Sequence, residues 1–231
     1  GAINFVTRKV PEATLGEIDL GLGSHGYRKA QGALAFPIGE INVLLDAMTY
    51  GSDGFKELEG SDNTGFIRND LNAKLSWLSD DERQAITVKI GYADEDANET
   101  YLGLTNADFA TDADTRYAAS ALDNFISKHH QFHLNYGGQL DPSFQLNVKA
   151  YRNLFQRAWT KFDGFPSGTP PQRVLTLPNF YLNQYRVMSG SSDSSGTPFD
   201  LIDVTNNDRK FVSEGLQISG NYDHGLLGIS Q

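Results

Sequence analysis

A strict two-residue alternation of apolar and polar side chains constrains the fold more than any other feature of this sequence. It recurs in eight segments between residues 15 and 222. One of them sets four apolar residues, Ile86, Val88, Ile90 and Tyr92, against Thr87, Lys89 and Gly91. Because successive side chains of a β-strand point to opposite faces, each segment is predicted to be a strand with one apolar and one polar face. The chain is therefore expected to be all-β.

The connections between these segments alternate in length. Short ones span 37–40, 79–84 and 141–143, and long ones span 51–65, 94–130 and 163–213. In an antiparallel up-and-down meander, alternate connections lie at opposite ends of the sheet. Short turns at one rim and long loops at the other are typical of an outer-membrane β-barrel.

The alternation also predicts which way side chains face in such a barrel. The apolar set is expected to face lipid and comprises Leu75, Val88, Ile90, Leu134, Val148 and Ile218. The polar set is expected to face the lumen and comprises Lys74, Lys89, Asn135, Lys149 and Gln217. Aromatic rings at strand ends on the apolar face suit a membrane interface. These are Trp77, Tyr92, Tyr136 and Tyr222.

Composition narrows the possible partners. The 231 residues carry a formal net charge of −10, which argues against nucleic acid as a partner because phosphate binding needs a basic surface. The chain has no cysteine, so disulfides, thiolate metal sites and cysteine nucleophiles are excluded.

No motif indicates a catalytic centre, a cofactor or a metal. His129, His130 and His133 form a histidine cluster, but it leads into a predicted strand and contains no glutamate that could act as a general base. The glycine-rich run at 21–26 opens no helix, which argues against a nucleotide site. The acidic run at 94–96 lacks the ligand spacing of a calcium loop. We therefore expect a protein that is not an enzyme.

Two short segments carry a family resemblance. The opening Gly1-Ala2-Ile3-Asn4-Phe5-Val6-Thr7-Arg8-Lys9-Val10-Pro11 resembles the strand that closes the plug domain of TonB-dependent outer-membrane receptors. The stretch 99–109, with 116–120 after it, resembles an extracellular-loop motif of the siderophore and ferric-dicitrate receptor branch.

The resemblance implies a domain division and a function. Residues 1–11 would be the C-terminal end of the plug, and residues 12–231 the N-terminal part of the transmembrane barrel, about the first eight of its roughly 22 strands. The chain would then be part of a longer receptor in the bacterial outer membrane. It would contact lipid and lipopolysaccharide, with the TonB complex engaged by the missing N-terminal part. The family takes up scarce ligands, usually iron chelates, in an energised process.

Binding an anionic chelate requires positive charge where water is partly excluded. Arg157 is in phase with the predicted lumen-facing Lys149, and Trp159 beside it offers a stacking surface. Arg116 and Tyr117, in the loop before the sixth strand, are further candidates. A structural role, in which Arg157 forms an ion pair with a wall carboxylate such as Asp46, is the alternative.

Two other architectures fit the pattern of strands. Eight strands are enough to close a small barrel with a structural or adhesion role. A secreted β-sandwich that binds sugars would also alternate, but it offers no reason for loops sorted by length.

Overall fold

The computed structural model describes residues 7–59, 63–98 and 100–223. It contains ten strands: β1 (Leu15–Leu22), β2 (Arg28–Ile38), β3 (Ile41–Ser52), β4 (Glu57–Leu58), β5 (Phe66–Leu78), β6 (Gln84–Ala97), β7 (Thr115–Arg116), β8 (Asn124–Asp141), β9 (Phe144–Gly164) and β10 (Asp203–Tyr222). Eight of them form one sheet in the order β1-β2-β3-β5-β6-β8-β9-β10, and every neighbouring pair is antiparallel. The predicted all-β meander is confirmed.

The sheet is open within the residues that the structure describes. β1 and β10 stand at its two ends, and neither pairs with the other. A closed eight-stranded barrel would join these two edges, and a sandwich would stack two large sheets. The described part of the chain shows neither arrangement.

The strand register gives the sheet an apolar face and a polar face. Leu75, Val88 and Leu134 are neighbours in one row of the apolar face. Lys74 and Lys89 lie opposite each other on the polar face. The predicted sharing of faces is thus confirmed, whereas contact of the apolar face with lipid stays a prediction.

We call the rows of the apolar face between Trp77 and Tyr92 the apolar band. Trp77, Ile86 and Tyr136 lie side by side in its row nearest the short turns. The ring of Tyr92 lies 5.0 Å from that of His130 in its row nearest the long loops. The apolar band therefore carries aromatic rings at both edges, as a membrane barrel does.

The apolar band has little protein cover. Leu216 and Ile218 on β10 are each 64% exposed, and Ile90 in the middle of the sheet is 56% exposed. Arg152 and Glu214 interrupt the band on β9 and β10, and their side chains are 3.5 Å apart. Since burying one large aliphatic side chain is worth about 1.5–3 kcal/mol, this face requires an apolar environment outside the chain.

The strands extend further toward the long loops than predicted. β6 continues to Ala97 and β8 begins at Asn124, so their connection is 98–123 and not 94–130. β9 continues to Gly164 and β10 begins at Asp203, so the last connection is 165–202 and not 163–213. Beyond the apolar band the regular alternation of apolar and polar side chains disappears, although the ladder of backbone hydrogen bonds continues.

The two longest connections fold together into a unit that we call the cap, comprising the described residues of 98–123 and 165–202. It contains α1 (Asn106–Thr111), a 3-10 turn (Ala118–Ser120), α2 (Pro171–Thr176) and α3 (Leu182–Ser189). Its buried core joins both connections to the end of β9, through Leu102, Tyr117, Ala119, Phe162, Phe165, Val174 and Met188. No helix in the described residues is long and apolar enough to cross a membrane.

A shorter connection is also tied to the cap. β4, in the connection between β3 and β5, pairs in parallel with β7, with Glu57 opposite Thr115 and Leu58 opposite Arg116. The long connections therefore act as one layer above the sheet.

The segment before β1 lies against the polar face. The Lys74 ammonium donates to the Arg8 carbonyl oxygen, and the Arg8 guanidinium lies 2.7 Å from the Glu17 carboxylate. Of the proposed plug end, residues 1–6 lie outside the described residues. The division at residue 11 stays a proposal.

Candidate functional site

The candidate site lies on the polar face where β9 leaves the apolar band and reaches the cap. Arg157, Trp159 and Lys161 occupy every second position of β9 there. Their phase places them on the same face as Lys149. Together with Tyr101 from the cap they form a set of residues that we call the cation–aromatic ladder.

The ladder is held together by contacts between cations and rings. The Arg157 guanidinium carbon is 5.6 Å from the Trp159 ring centroid. The Lys161 ammonium is 5.4 Å from the same centroid and 4.4 Å from that of Tyr101. The rings of Tyr101 and Trp159 meet edge to face at 5.3 Å, and Phe125 contacts Trp159 at 6.3 Å. Cation–ring contacts of this kind contribute about 0.5–2 kcal/mol each.

These contacts change the role expected of Trp159. Its ring already contacts four side chains, two of them cationic. A flat ligand that stacked on this ring would have to displace one of them. The geometry is better suited to holding Arg157 and Lys161 at a fixed spacing.

A buried carboxylate fixes the ladder to the cap. Asp123 accepts the backbone N–H of Tyr101 at 2.9 Å and that of Phe162 at 2.8 Å. It thus joins the first cap connection to the end of β9. This bond pair places the Tyr101 ring beside Trp159 and Lys161.

Arg157 lacks a carboxylate partner among the described residues, and its buried Nε has no hydrogen-bond partner there. In the same row of the polar face, Arg68 is paired with Glu95 at 3.0 Å and with Asp70 at 3.0 Å. The alternative that Arg157 pairs with Asp46 is wrong, since Asp46 lies four strands away and accepts from Gln31 at 3.3 Å. Arg157 therefore retains donors for another acceptor.

The structure places the other two predicted site residues inside the cap. Arg116 donates to the carbonyl oxygens of Ala113, at 2.9 Å, and Thr115. The Tyr117 hydroxyl is buried, accepts the backbone N–H of Thr105 at 2.9 Å and donates to Asp108. These bonds organise the cap, and they do not bring the two residues together with Arg157 and Trp159.

Asp108 is the centre of a hydroxyl network that joins α1 to α3. It accepts from Thr105 Oγ1 at 2.7 Å, from the Tyr185 hydroxyl at 2.8 Å and from Tyr117. Burial raises the pKa of Asp108, but the three donors outweigh it and hold that pKa below its usual value. Burial, with the bond to Asp108, raises the pKa of Tyr117 to about 12.

The histidine cluster is divided by the strand. His129 and His133 lie on the polar face and His130 on the apolar face. Gln131 Nε2 is 3.1 Å from His129 Nδ1, and His133 Nε2 is 3.1 Å from the Asn153 oxygen. Among the described residues, no three side chains are grouped as a metal site requires.

Sequence analysis missed Lys161 and Tyr101. Lys161 follows Arg157 by four residues, which is the spacing of a same-face strand pair, but sequence analysis did not single it out. Tyr101 is far from β9 in the chain, and only the fold of the cap brings it to the ladder.

Comparisons with known proteins support the fold. No family model matches the chain, and no curated protein matches it. The ferric-catecholate import receptor Fiu from E. coli K12, in its open form, superimposes with a TM-score of 0.59 at 9% identity over 95% of this chain and 33% of its own. The ferric citrate transporter FecA, unliganded, gives 0.54 at 19% identity over 69% of this chain and 24% of its own. The chain thus spans a third or less of either protein, and it has the fold of a barrel segment of TonB-dependent receptors.

Proposed function

We propose that this chain is the barrel segment of a TonB-dependent receptor that takes up a ferric siderophore or ferric-citrate-type chelate across the bacterial outer membrane. Residues 1–11 are the end of its plug. The protein acts as a transporter and not as an enzyme. The observation that carries the proposal is the cation–aromatic ladder, placed on the polar face of a barrel wall just beneath the cap.

Charge supports this assignment. The whole chain carries a net charge of −10, yet Arg157 stands on the polar face without a carboxylate partner in the described residues. A small anionic chelate that entered beneath the cap would offer oxygen acceptors to these unused donors. Arg is suited to this role because its guanidinium is always charged and presents several donors in a fixed plane.

The two solved structures support the same ligand class. One is an import receptor for a ferric catecholate and the other is a transporter of ferric citrate. In the proposed receptor the TonB complex supplies energy through the plug, and lipid and lipopolysaccharide cover the apolar band.

Iron uptake by cells that express the protein from its own gene tests the proposal. Radiolabelled ferric citrate and a ferric tris-catecholate serve as probes, and the Arg157→Gln variant is compared with wild type. Charge-assisted hydrogen bonds contribute about 1.5–3 kcal/mol, so we expect half-saturation for the preferred probe to rise by about tenfold or more.

The matched control is Lys149→Gln, which removes a charge from the same face of the same strand nearer the short turns. It should transport like wild type at equal abundance in the outer membrane. Failure of wild-type cells to accumulate either probe would argue against the proposed function. Normal transport by Arg157→Gln would remove Arg157 from the ligand site.

A further inference from the structure

Two charged side chains interrupt the apolar band, and they lie on neighbouring strands. Arg152 of β9 and Glu214 of β10 are Cα partners, so their side chains share one face of the sheet. The register runs from Arg152 through Phe132 to Ile90, which places the pair in an inner row of the apolar band. The other described residues of that row are all uncharged: Gly16, Leu34, Leu45, Ala73, Ile90 and Phe132.

The pair is open to the outside of the sheet. Arg152 Nε is 3.5 Å from the Glu214 carboxylate, and the two side chains are 67% and 61% exposed. Arg152 lies between the paired strands β8 and β10, so its exposure does not come from the open edge of the sheet. A further strand paired with β10 would lie beside Glu214 and not above it, because strand side chains stand roughly perpendicular to the sheet.

In the proposed receptor this surface faces the membrane. Charged groups within the hydrocarbon region are costly, and such residues are rare where a chain faces lipid. Arg152 contacts Glu214 through Nε, which leaves the terminal guanidinium nitrogens as donors and further lone pairs of the carboxylate as acceptors. A partner that brings one cation and one carboxylate to the same depth would satisfy both groups.

Symmetry makes a second copy of this chain such a partner. A two-fold axis along the membrane normal keeps every residue at its own depth and presents the same surface from both copies. With the axis between Arg152 and Glu214, the arginine of each copy comes within reach of the glutamate of the other. The adjacent rows of β9 and β10 are apolar and add no charge to this contact: Leu154, Val212, Ala150 and Leu216.

We propose that the outer face of β9 and β10 is an interface between two copies of this protein in the membrane, in which Arg152 and Glu214 form ion pairs between the copies. The inference rests on the proposed function, because it requires the apolar band to face lipid. It goes beyond that function, since uptake of a chelate through one barrel does not require a second copy.

Cross-linking of the full-length protein in cells measures this contact. Ala150→Cys places a thiol on the apolar face of β9, one row from Arg152, in a described sequence without cysteine. A membrane-permeant bismaleimide should then join two copies into a product of twice the mass. Ala73→Cys, in the row of Arg152 but on β5, is the matched control and should stay monomeric. The protein without either substitution gives the background.

Charge reversal separates a contact between copies from a contact within one copy. In the Ala150→Cys background, Arg152→Glu brings four carboxylates together and Glu214→Arg brings four guanidinium groups together. Because like charges across an interface repel, the cross-linked yield of each variant alone should fall by about tenfold or more. The two variants expressed together, with tags of different size, should cross-link to each other at close to the original yield.

A neutral variant makes the test independent of whether the reversed variants reach the membrane. Arg152→Leu combined with Glu214→Leu gives an outer face that suits lipid. This double variant should also lose the cross-link, because lipid provides no hydrophobic drive for association between apolar surfaces.

Recovery in the mixed pair would support the interface, because the ion pair within one copy is broken in both variants. Lack of recovery at equal abundance in the outer membrane would overturn the proposal. Linking of Ala150→Cys no stronger than that of Ala73→Cys would overturn it, as would a product whose mass identifies a different protein. Failure of the proposed function looks different: copies would cross-link in the membrane, yet cells would accumulate neither ferric probe.

Discussion

The apolar band and the cap place their apolar side chains in opposite surroundings. Side chains such as Ile90 and Leu216 in the band point away from the protein and are more than half exposed. Met188 and Val174 in the cap are fully buried against other parts of the chain. The band therefore depends on its environment for stability, whereas the cap carries a core of its own.

In the proposed receptor, this difference would let one chain face both lipid and water. In the band, backbone hydrogen bonds are satisfied between strands, so the side chains are free to match an apolar medium. In the cap, turns and short helices need a packed core and carboxylates that satisfy its polar groups, such as the half-buried Asp108 and the buried Asp123. The candidate site lies at the junction between these two regions.

The largest expected effect is in the cap core. Met188→Ala removes a fully buried side chain and should destabilise the cap by about 2–5 kcal/mol. Hydrogen exchange measured by mass spectrometry should show faster exchange in α2 and α3, with β5 and β6 unchanged. Leu182→Ala, at a more exposed position of α3, is the control. Equal loss of protection in β5 and β6 would show that the cap and the eight-stranded sheet unfold as one cooperative unit.

A slightly smaller effect is expected in the band. Leu134→Arg places a charge in the central row of the apolar face and should lower the free energy of unfolding by about 2–4 kcal/mol in lipid vesicles. Asn135→Arg, on the polar face of the same strand, should cost far less. Urea unfolding in vesicles compares the two. A greater cost at Asn135 than at Leu134 would reverse the assignment of the faces.

The smallest effect is expected in the hydrogen-bond network at Asp108, which joins α1 to α3. Asp108→Asn weakens a carboxylate that accepts three hydroxyl groups and should cost the cap about 1–3 kcal/mol. Because the pKa of Asp108 is lowered in the folded protein, its contribution is present above the unfolded value of about 3.9 and is lost as pH falls through the folded pKa.

The stability that Tyr117 contributes to the cap has the opposite dependence on pH. The pKa of Tyr117 is raised to about 12, so its contribution is complete below the unfolded value of about 10 and is lost as pH rises through 12. Cap protection measured by hydrogen exchange, corrected for the intrinsic rate, should therefore be level between these limits. A continuous decline from pH 5 to pH 8 would contradict the network.

The sequence predicted the wall better than the site, for a physical reason. Where one face is apolar, as from Ile86 to Tyr92, the two-residue period identifies the strand and its facing. Above the apolar band, the stretch of β10 from Asp203 to Lys210 is almost entirely polar on both faces, so it gives no period and was assigned to a loop. Arg157 was found because its phase could be counted from Lys149. The core of the cap depends on contacts between Tyr117 and residues beyond position 160, which no local pattern encodes.

The path of the chain before β1 has a mechanical consequence. β1 begins at Leu15, at its short-turn end, and pairs with β2 over eight residues. A force applied through residues 7–14 toward the short-turn rim would run along the axis of β1. It would load those paired positions in shear, all together, instead of peeling them apart in turn. The ion pair of Arg8 with Glu17 and the hydrogen bond from Lys74 to Arg8 would break first. The segment before β1 would then detach from the polar face while the sheet stays intact.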